Sequence, residues 1–246
     1  MNTELKTKIE TLLEGINKAR PLNHEQLIKL KDYFKVGSTY SSNAIEGNTL
    51  TEVETKIVIE DGITIGGKPL KDHLEAIGHA KAYDYVYDIL NDEISETRIK
   101  KLHELFYSQI DNANAGEYRK VEVYISGSEF LPPEPEKVEG LMQEFTAQIK
   151  LKKEQLHPVD FAAWLHLELV TIHPFIDGNG RTARLLMNLA LLQADYPVVI
   201  IPPVLRRDYI NSIIQAQVKG QTEAFNNLIA ECVIESLREY SRLLRI

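Results

Sequence analysis

Residues 158–172 read PVDFAAWLHLELVTI, residues 173–180 read HPFIDGNG, and residues 181–194 read RTARLLMNLALLQA. The outer two segments are apolar around most of a helical circumference, and such helices lie at the centre of a fold, not on its surface. The segment between them is polar and glycine-rich, so it starts from deep inside the protein. His173 precedes Pro174 and is pushed out of the α region, which predicts a helix end near Ile172. Two buried helices joined by a polar loop set the frame for the rest of the chain.

Helical periodicity dominates on both sides of this unit. LKTKIETLLEGINKA places Leu5, Ile9, Leu12, Leu13 and Ile16 on one face. HEQLIKLKDYF does the same with Leu27, Leu30, Tyr33 and Phe34. Thr51 and Glu54 have capping-box spacing ahead of Val53 and Ile57. Residues 71–91, 95–110, 136–154, 205–219 and 222–244 read as further helices. The rhythm changes at YRKVEVYISGSEFLPPEP, where Val121, Val123 and Ile125 alternate with polar positions. That pattern predicts a short strand, turned by SGS and stopped by LPPEP, in a hairpin or flap. With no linker-like boundary, the chain reads as one all-α domain with its N-terminal helices packed on the core.

Composition excludes several classes of function. The 246 residues are 43% hydrophobic and 26% charged, with a formal net charge of −8, ordinary for a globular domain and unlike a general nucleic-acid-binding surface. The single cysteine, Cys232, sits in an apolar helical pattern and rules out an intramolecular disulfide. The first residues carry no apolar signal region, and no apolar run reaches the ~18 residues of a membrane span. A cytoplasmic protein without membrane or nucleic-acid partners is the expectation.

The loop carries chemistry. Gly178, Asn179 and Gly180 open a helix, and their backbone N–H groups converge with the helix dipole into an anion-binding nest suited to phosphate. Arg181 and Arg184 are three apart and both reach that helix start, where a guanidinium fits phosphate with two donors. Asp177 would repel phosphate there, unless a divalent cation lies between them; Mg²⁺ takes one or two carboxylates plus phosphate oxygens. His173, at the other end, can take a proton from an attacking hydroxyl. Base, metal ligand, anion nest and cations within 173–184 describe phosphoryl or nucleotidyl transfer. A calcium loop fails because the twelfth position from Asp177 is Asn188, and no phosphate-binding G-x-x-x-x-G-K-[ST] is present.

A second stretch, SSNAIEGN (41–48), ends a helix with Glu46 and Gly47. A carboxylate in the last turn opposes the helix dipole at a cost of roughly 0.3–1 kcal/mol. A cation reaching in from elsewhere would offset that cost; solvent exposure is the simpler account.

HPFIDGNGRTAR fits the H-x-F-x-[DE]-G-N-G-R-x-x-R signature, and on it the chain resembles the Fic-domain proteins. GEYRKVEVYISGSEFLPPEP is similar to their flap, and the helix order from about 95 to 230 to their core. The resemblance implies an all-α bundle with a short β-hairpin flap near 119–135, N-terminal helices over 1–60 and a Fic core over 61–246. It implies transfer of AMP from ATP to a hydroxyl of a target protein. His173 would be the base and Asp177 the Mg²⁺ ligand. Gly178, Asn179, Gly180 and Arg181 would bind the α- and β-phosphates, and Arg184 the γ-phosphate. The flap at Ile125, Ser126, Gly127 and Ser128 would align the target, and Tyr209 with Gln217 would line the adenine pocket. SNAIEG resembles the family's inhibitory motif, so Glu46, helped by Ser42, would pair with Arg184 and obstruct productive ATP binding. Removal of AMP through the same residues and a non-catalytic nucleotide-binding module remain alternatives, and a homodimer fits the resemblance.

Overall fold

The computed structural model describes every residue of 1–246 except Ser126. Its helices are α1 (Thr3–Lys18), α2 (His24–Ile45), α3 (Glu52–Lys56), α4 (Leu70–Asp88), α5 (Glu96–Tyr107), α6 (Pro135–Gln155), α7 (Pro158–Ile172), α8 (Asn179–Leu192), α9 (Arg206–Lys219) and α10 (Glu223–Leu244). A π-helical turn, Ile57–Asp61, extends α3, and a 3₁₀ turn, Pro203–Leu205, leads into α9. Among the described residues no helix is long and apolar enough to cross a membrane.

The termini of these helices follow their local chemistry. Asn23 caps α2 and Thr51 caps α3, each in a reciprocal box with Gln26 and Glu54 respectively. Pro135 and Pro158 stand in the first turns of α6 and α7, where a missing N–H costs nothing.

Packing is centred on α7 and α8, whose facing sides form the main helix–helix interface. On α8 every residue from Arg181 to Leu191 is buried, as the apolar patterning of both segments predicts. α1 lies on α10, bringing Ile9 and Ile16 into one hydrophobic core with Leu102, Phe106, Leu165, Leu186 and Val233. On α2, Leu30 and Phe34 join that core, but Leu27 and Tyr33 remain about half exposed. The expected apolar face of α2 is therefore narrower than its sequence pattern. Leu50, Val58 and Ala76 form a smaller cluster under the turn that follows α2.

The expected β-hairpin does not form: among the described residues there is no strand. Val121 lies in a bend and residues 122–125 have no regular structure, Ser128 donates its backbone N–H to the Ile125 carbonyl, and the chain returns through Pro132 and Pro133. The prolines have no N–H to give to a ladder. The carbonyls of Val121 and Pro133, one on each arm, both accept from the Arg119 guanidinium instead of from the opposite arm.

Candidate active site

α7 delivers His173 and α8 delivers the anion nest. His173 closes α7 in the left-handed region, φ 52° and ψ 56°, with its N–H on the Leu169 carbonyl. The expectation that Pro174 would displace it from the right-handed region holds, but the conformation is left-handed instead of extended. Its Nδ1 lies 3.1 Å from the Val170 carbonyl oxygen. A carbonyl only accepts, so Nδ1 carries the proton and Nε2 keeps its lone pair. Burial, working against the charged form ahead of every other influence, holds the imidazole below its ordinary pKa and therefore neutral near pH 7.

The loop is shaped from within and from below. Asn179 accepts from the Phe175 N–H (2.9 Å) and donates to the Phe175 carbonyl (2.8 Å), so its side chain closes the loop. Its backbone N–H, with those of Gly180 and Arg181, begins α8, and no side chain caps that end. His103 of α5 stacks on Phe175 with ring centres 3.8 Å apart. It accepts from the Gly116 N–H at Nδ1 (2.9 Å), leaving Nε2–H to donate to the Asp177 carbonyl (3.0 Å). Gly178 turns the chain at φ +78°, where a Cβ would stand 2.8 Å from the Phe106 ring.

Charges converge on this helix start. Arg181 lies between Glu75 of α4 (2.7 Å) and Asp177 (3.2 Å), with its guanidinium over the Phe106 ring. Arg184 is fully engaged: Nε donates to Ser42 Oγ (2.9 Å), Nη2 to the Ser42 carbonyl (2.8 Å) and to Glu46 Oε1 (2.7 Å), and Nη1 to the Tyr209 hydroxyl (3.0 Å). Glu46 ends α2, and its carboxylate stands over Gly180, where a Cβ would meet Oε1 at 2.5 Å. Its acid is at the unfavourable end of α2 but at the favourable end of α8. Arg206 offsets the first by donating to the Ile45 carbonyl at 2.6 Å. Burial opposes ionisation of Glu46, yet Arg184 and Arg181 together outweigh it and hold the carboxyl below its ordinary pKa.

The remaining expected residues fall at different depths. Tyr209 is 1% exposed and passes its hydroxyl on to His166 Nε2 at 2.8 Å, so it backs Arg184. Gln217 donates to the Val170 carbonyl (3.3 Å), the same oxygen that fixes His173. Asp177 is half exposed; Oδ1 accepts from the Gly178 N–H and from Arg181, while among the described residues Oδ2 has Lys71 as its one charged neighbour, at 3.9 Å. One carboxylate oxygen left open beside a phosphate nest fits a Mg²⁺ ion that arrives with nucleotide, since that ion needs few protein ligands. No group of three metal-binding side chains occurs among the described residues. Ile125, Gly127 and Ser128 form the tip of the flap, and Ser126, also expected there, lies outside the described residues.

His103, Glu75, His166 and Arg119 were not anticipated. Each acts through a partner distant in sequence, and a lone charged or imidazole side chain carries no local signal of that partner.

Comparison with known proteins shows the family. The model of the Fic/DOC family matches residues 93–191. The protein adenylyltransferase Fic of Drosophila grimshawi is 39% identical over 215 residues, covering 86% of this chain and 44% of that protein. That of Drosophila melanogaster is 38% identical over the same length, covering 86% and 43%. A Fic domain-containing signaling protein from Bacteroides thetaiotaomicron superposes with a TM-score of 0.86 at 30% identity, covering 98% of this chain and 96% of that one. Fic-1 of C. elegans, residues 134–508, gives a TM-score of 0.87 at 29% identity, covering 98% and 73%. The chain belongs to the Fic/DOC family. It spans less than half the length of the curated relatives it matches.

Proposed function

We propose that this chain is a protein adenylyltransferase restrained by its own Glu46. The curated relatives named adenylyltransferases support the activity, and the pairing of Glu46 with Arg184 over Gly180 is the observation that carries the restraint. In this reading a target hydroxyl attacks the α-phosphorus of ATP, the bond to the bridging α–β oxygen breaks, and pyrophosphate leaves. The hydroxyl proton passes to Nε2 of His173, whose Nδ1–H bond to Val170 orients the ring. The N–H groups at the start of α8 and the side chain of Arg181 hold the α- and β-phosphates, and Arg184 holds the γ-phosphate. Asp177 would hold Mg²⁺, which when bound offsets phosphate charge.

Glu46 opposes this twice. It occupies Arg184, and it places a negative charge where phosphate would sit. Ser42, one turn earlier, fixes Arg184 toward α2 with both its hydroxyl and its carbonyl. The flap around Ile125–Ser128 aligns the target segment, and Gln217 borders the adenine side, with Tyr209 behind it supporting Arg184 from beneath the surface. The division at residue 60 is then functional, with the restraint on one side and the chemistry on the other.

The test incubates the native protein, Glu46→Gly, and Glu46→Gly with His173→Ala in Mg²⁺ and ATP labelled at the α-phosphate, then reads intact mass. Added AMP in Glu46→Gly alone supports transfer, restraint and base together. Absence of AMP from all three, with ATP bound, overturns the transferase reading and directs the assay to removal of AMP from a modified protein.

A further inference from the structure

Arg119 lies between the flap and the loop that carries His173. It is 4% exposed, and among the described residues no carboxylate lies within 4 Å of its guanidinium. Its donors go to carbonyls instead. Nε donates to the His173 carbonyl at 2.8 Å, Nη1 to the Val121 carbonyl at 3.1 Å, and Nη2 to the Pro133 carbonyl. Its backbone N–H donates to the Pro174 carbonyl at 2.9 Å. One residue thus joins both arms of the flap to the two residues that open the catalytic loop. A buried cation costs free energy unless its donors are met, and a planar fork meets three fixed carbonyls in a way that a single ammonium does not.

We propose that Arg119 is a positioning residue that sets the register between the flap and His173, and so between an acceptor segment lying on the flap and the base that takes its proton. The inference rests on the transferase reading for its catalytic consequence, but the brace itself is independent of that reading. It replaces the ladder that a hairpin would have used. Apart from the turn bond from the Ser128 N–H to the Ile125 carbonyl, no hydrogen bond joins the two arms among the described residues, so the separation of their bases and their distance from His173 depend on the guanidinium.

The experiment uses the full chain with Arg119→Met and Arg119→Lys, each alone and combined with Glu46→Gly. Spin labels at cysteines replacing Glu129 on the flap and Gln143 on α6 report the distance distribution. Cys232 is buried, with its thiol pushed up to about 12, so labelling goes to the introduced sites. The native chain is expected to give one narrow distance, and both variants a broader distribution. Arg119→Lys retains charge and stem, and keeps the test open if Arg119→Met unfolds. Native width in Arg119→Lys, or a native distribution already as broad as the variants', overturns the proposal.

In the Glu46→Gly background, the ratio of protein-bound AMP to free AMP is expected to fall by roughly tenfold or more on Arg119→Met, as acceptor and base lose alignment while water still reaches the phosphorus. An unchanged ratio also overturns the proposal, because a general loss of structure would lower both products together. If Glu46→Gly with native Arg119 yields no protein-bound AMP, the transferase reading has failed, and the distance measurement still decides the role of Arg119.

Discussion

Glu46 and Arg184 lie 138 positions apart in sequence and 2.7 Å apart in space, one at the end of α2 and the other in the second turn of α8. The pair is asymmetric. Arg184 is buried on all sides, whereas the Glu46 side chain keeps 35% of its surface open. Removing the acid leaves an arginine that still has Ser42 and Tyr209; removing the arginine leaves a carboxylate without its nearest counter-charge.

Ser42 should be a graded control on this pair. Ser42→Ala removes the acceptor for Arg184 Nε and leaves the Ser42 carbonyl in place. Hydrogen bonds to charged groups contribute about 1.5–3 kcal/mol, so self-modification should rise to a level between the native protein and Glu46→Gly. Intact-mass measurement of AMP incorporation checks the order of the three. Activity in Ser42→Ala equal to the native level would separate Ser42 from the restraint.

Acid should loosen the latch. The Glu46 carboxyl has a folded pKa below its ordinary 4.5, so its contribution is fully present above about pH 4.5 and is lost as pH falls through the lower, folded value. Thermal melting of the native chain and of Glu46→Gln across pH should show a difference at neutral pH that closes on acidification. A constant difference down to pH 3 would contradict the assignment.

Buried histidines should make the whole fold acid-sensitive at a higher pH. Burial lowers His103 from 6.5 to about 4, with the bond to the Asp177 carbonyl and its charge partly opposing this. The folded state then binds fewer protons than the unfolded chain between those values. Stability is therefore full above about pH 6.5 and declines as pH drops toward 4, by on the order of 3 kcal/mol for this residue. His79, lowered to about 3 by burial first and then by Arg184 and Arg181, adds in the same direction. His103→Gln should flatten the slope of unfolding free energy against pH between 6.5 and 4 in denaturant titrations.

Two neighbouring glycines should respond unequally to alanine. Gly178→Ala forces a left-handed residue and drives a methyl into the Phe106 ring, at a cost of about 1–3 kcal/mol. Gly180 is helical, and its methyl meets Glu46 Oε1 at 2.5 Å, so it displaces the carboxylate from Arg184 without straining the backbone. Thermal melts should show a clear drop for Gly178→Ala, and for Gly180→Ala a smaller one that matches the loss of the Glu46–Arg184 pair in Glu46→Gln.

Much of this arrangement is legible in the sequence. The apolar periodicity of 158–172 and 181–194 locates the central pair, and Thr51 with Glu54 announces the start of α3 through its own chemistry. The motif 173–184 is local, so its residues arrive together in space because they are together in sequence. The flap departs from the expected hairpin for the opposite reason. Alternation at Val121, Val123 and Ile125 signals an extended segment, but a strand needs a paired partner, and here Arg119 takes the carbonyls that would have paired. Leu27 and Tyr33 show the same limit, since periodicity gives a face and not how much of it is covered. His103, Glu75 and His166 could not be read locally because their partners, Asp177, Arg181 and Tyr209, come from other elements.

The burial of α8 has a further consequence for how the molecule breathes. A helix enclosed along eleven consecutive residues opens only with the protein as a whole, so its amides belong to the slowest-exchanging class. The segment Glu46–Thr49 lies at the rim, with Glu46, Gly47 and Thr49 exposed, and it is tied to α4 by Asn48 and Thr49 on Asp72 and Glu75, not by enclosure in the core. In the proposed reading, the restraint is drawn from the solvent-facing rim and the machinery from the enclosed core. A modest push on the rim, a few kilocalories at most, can change the population of open molecules by orders of magnitude without endangering the fold.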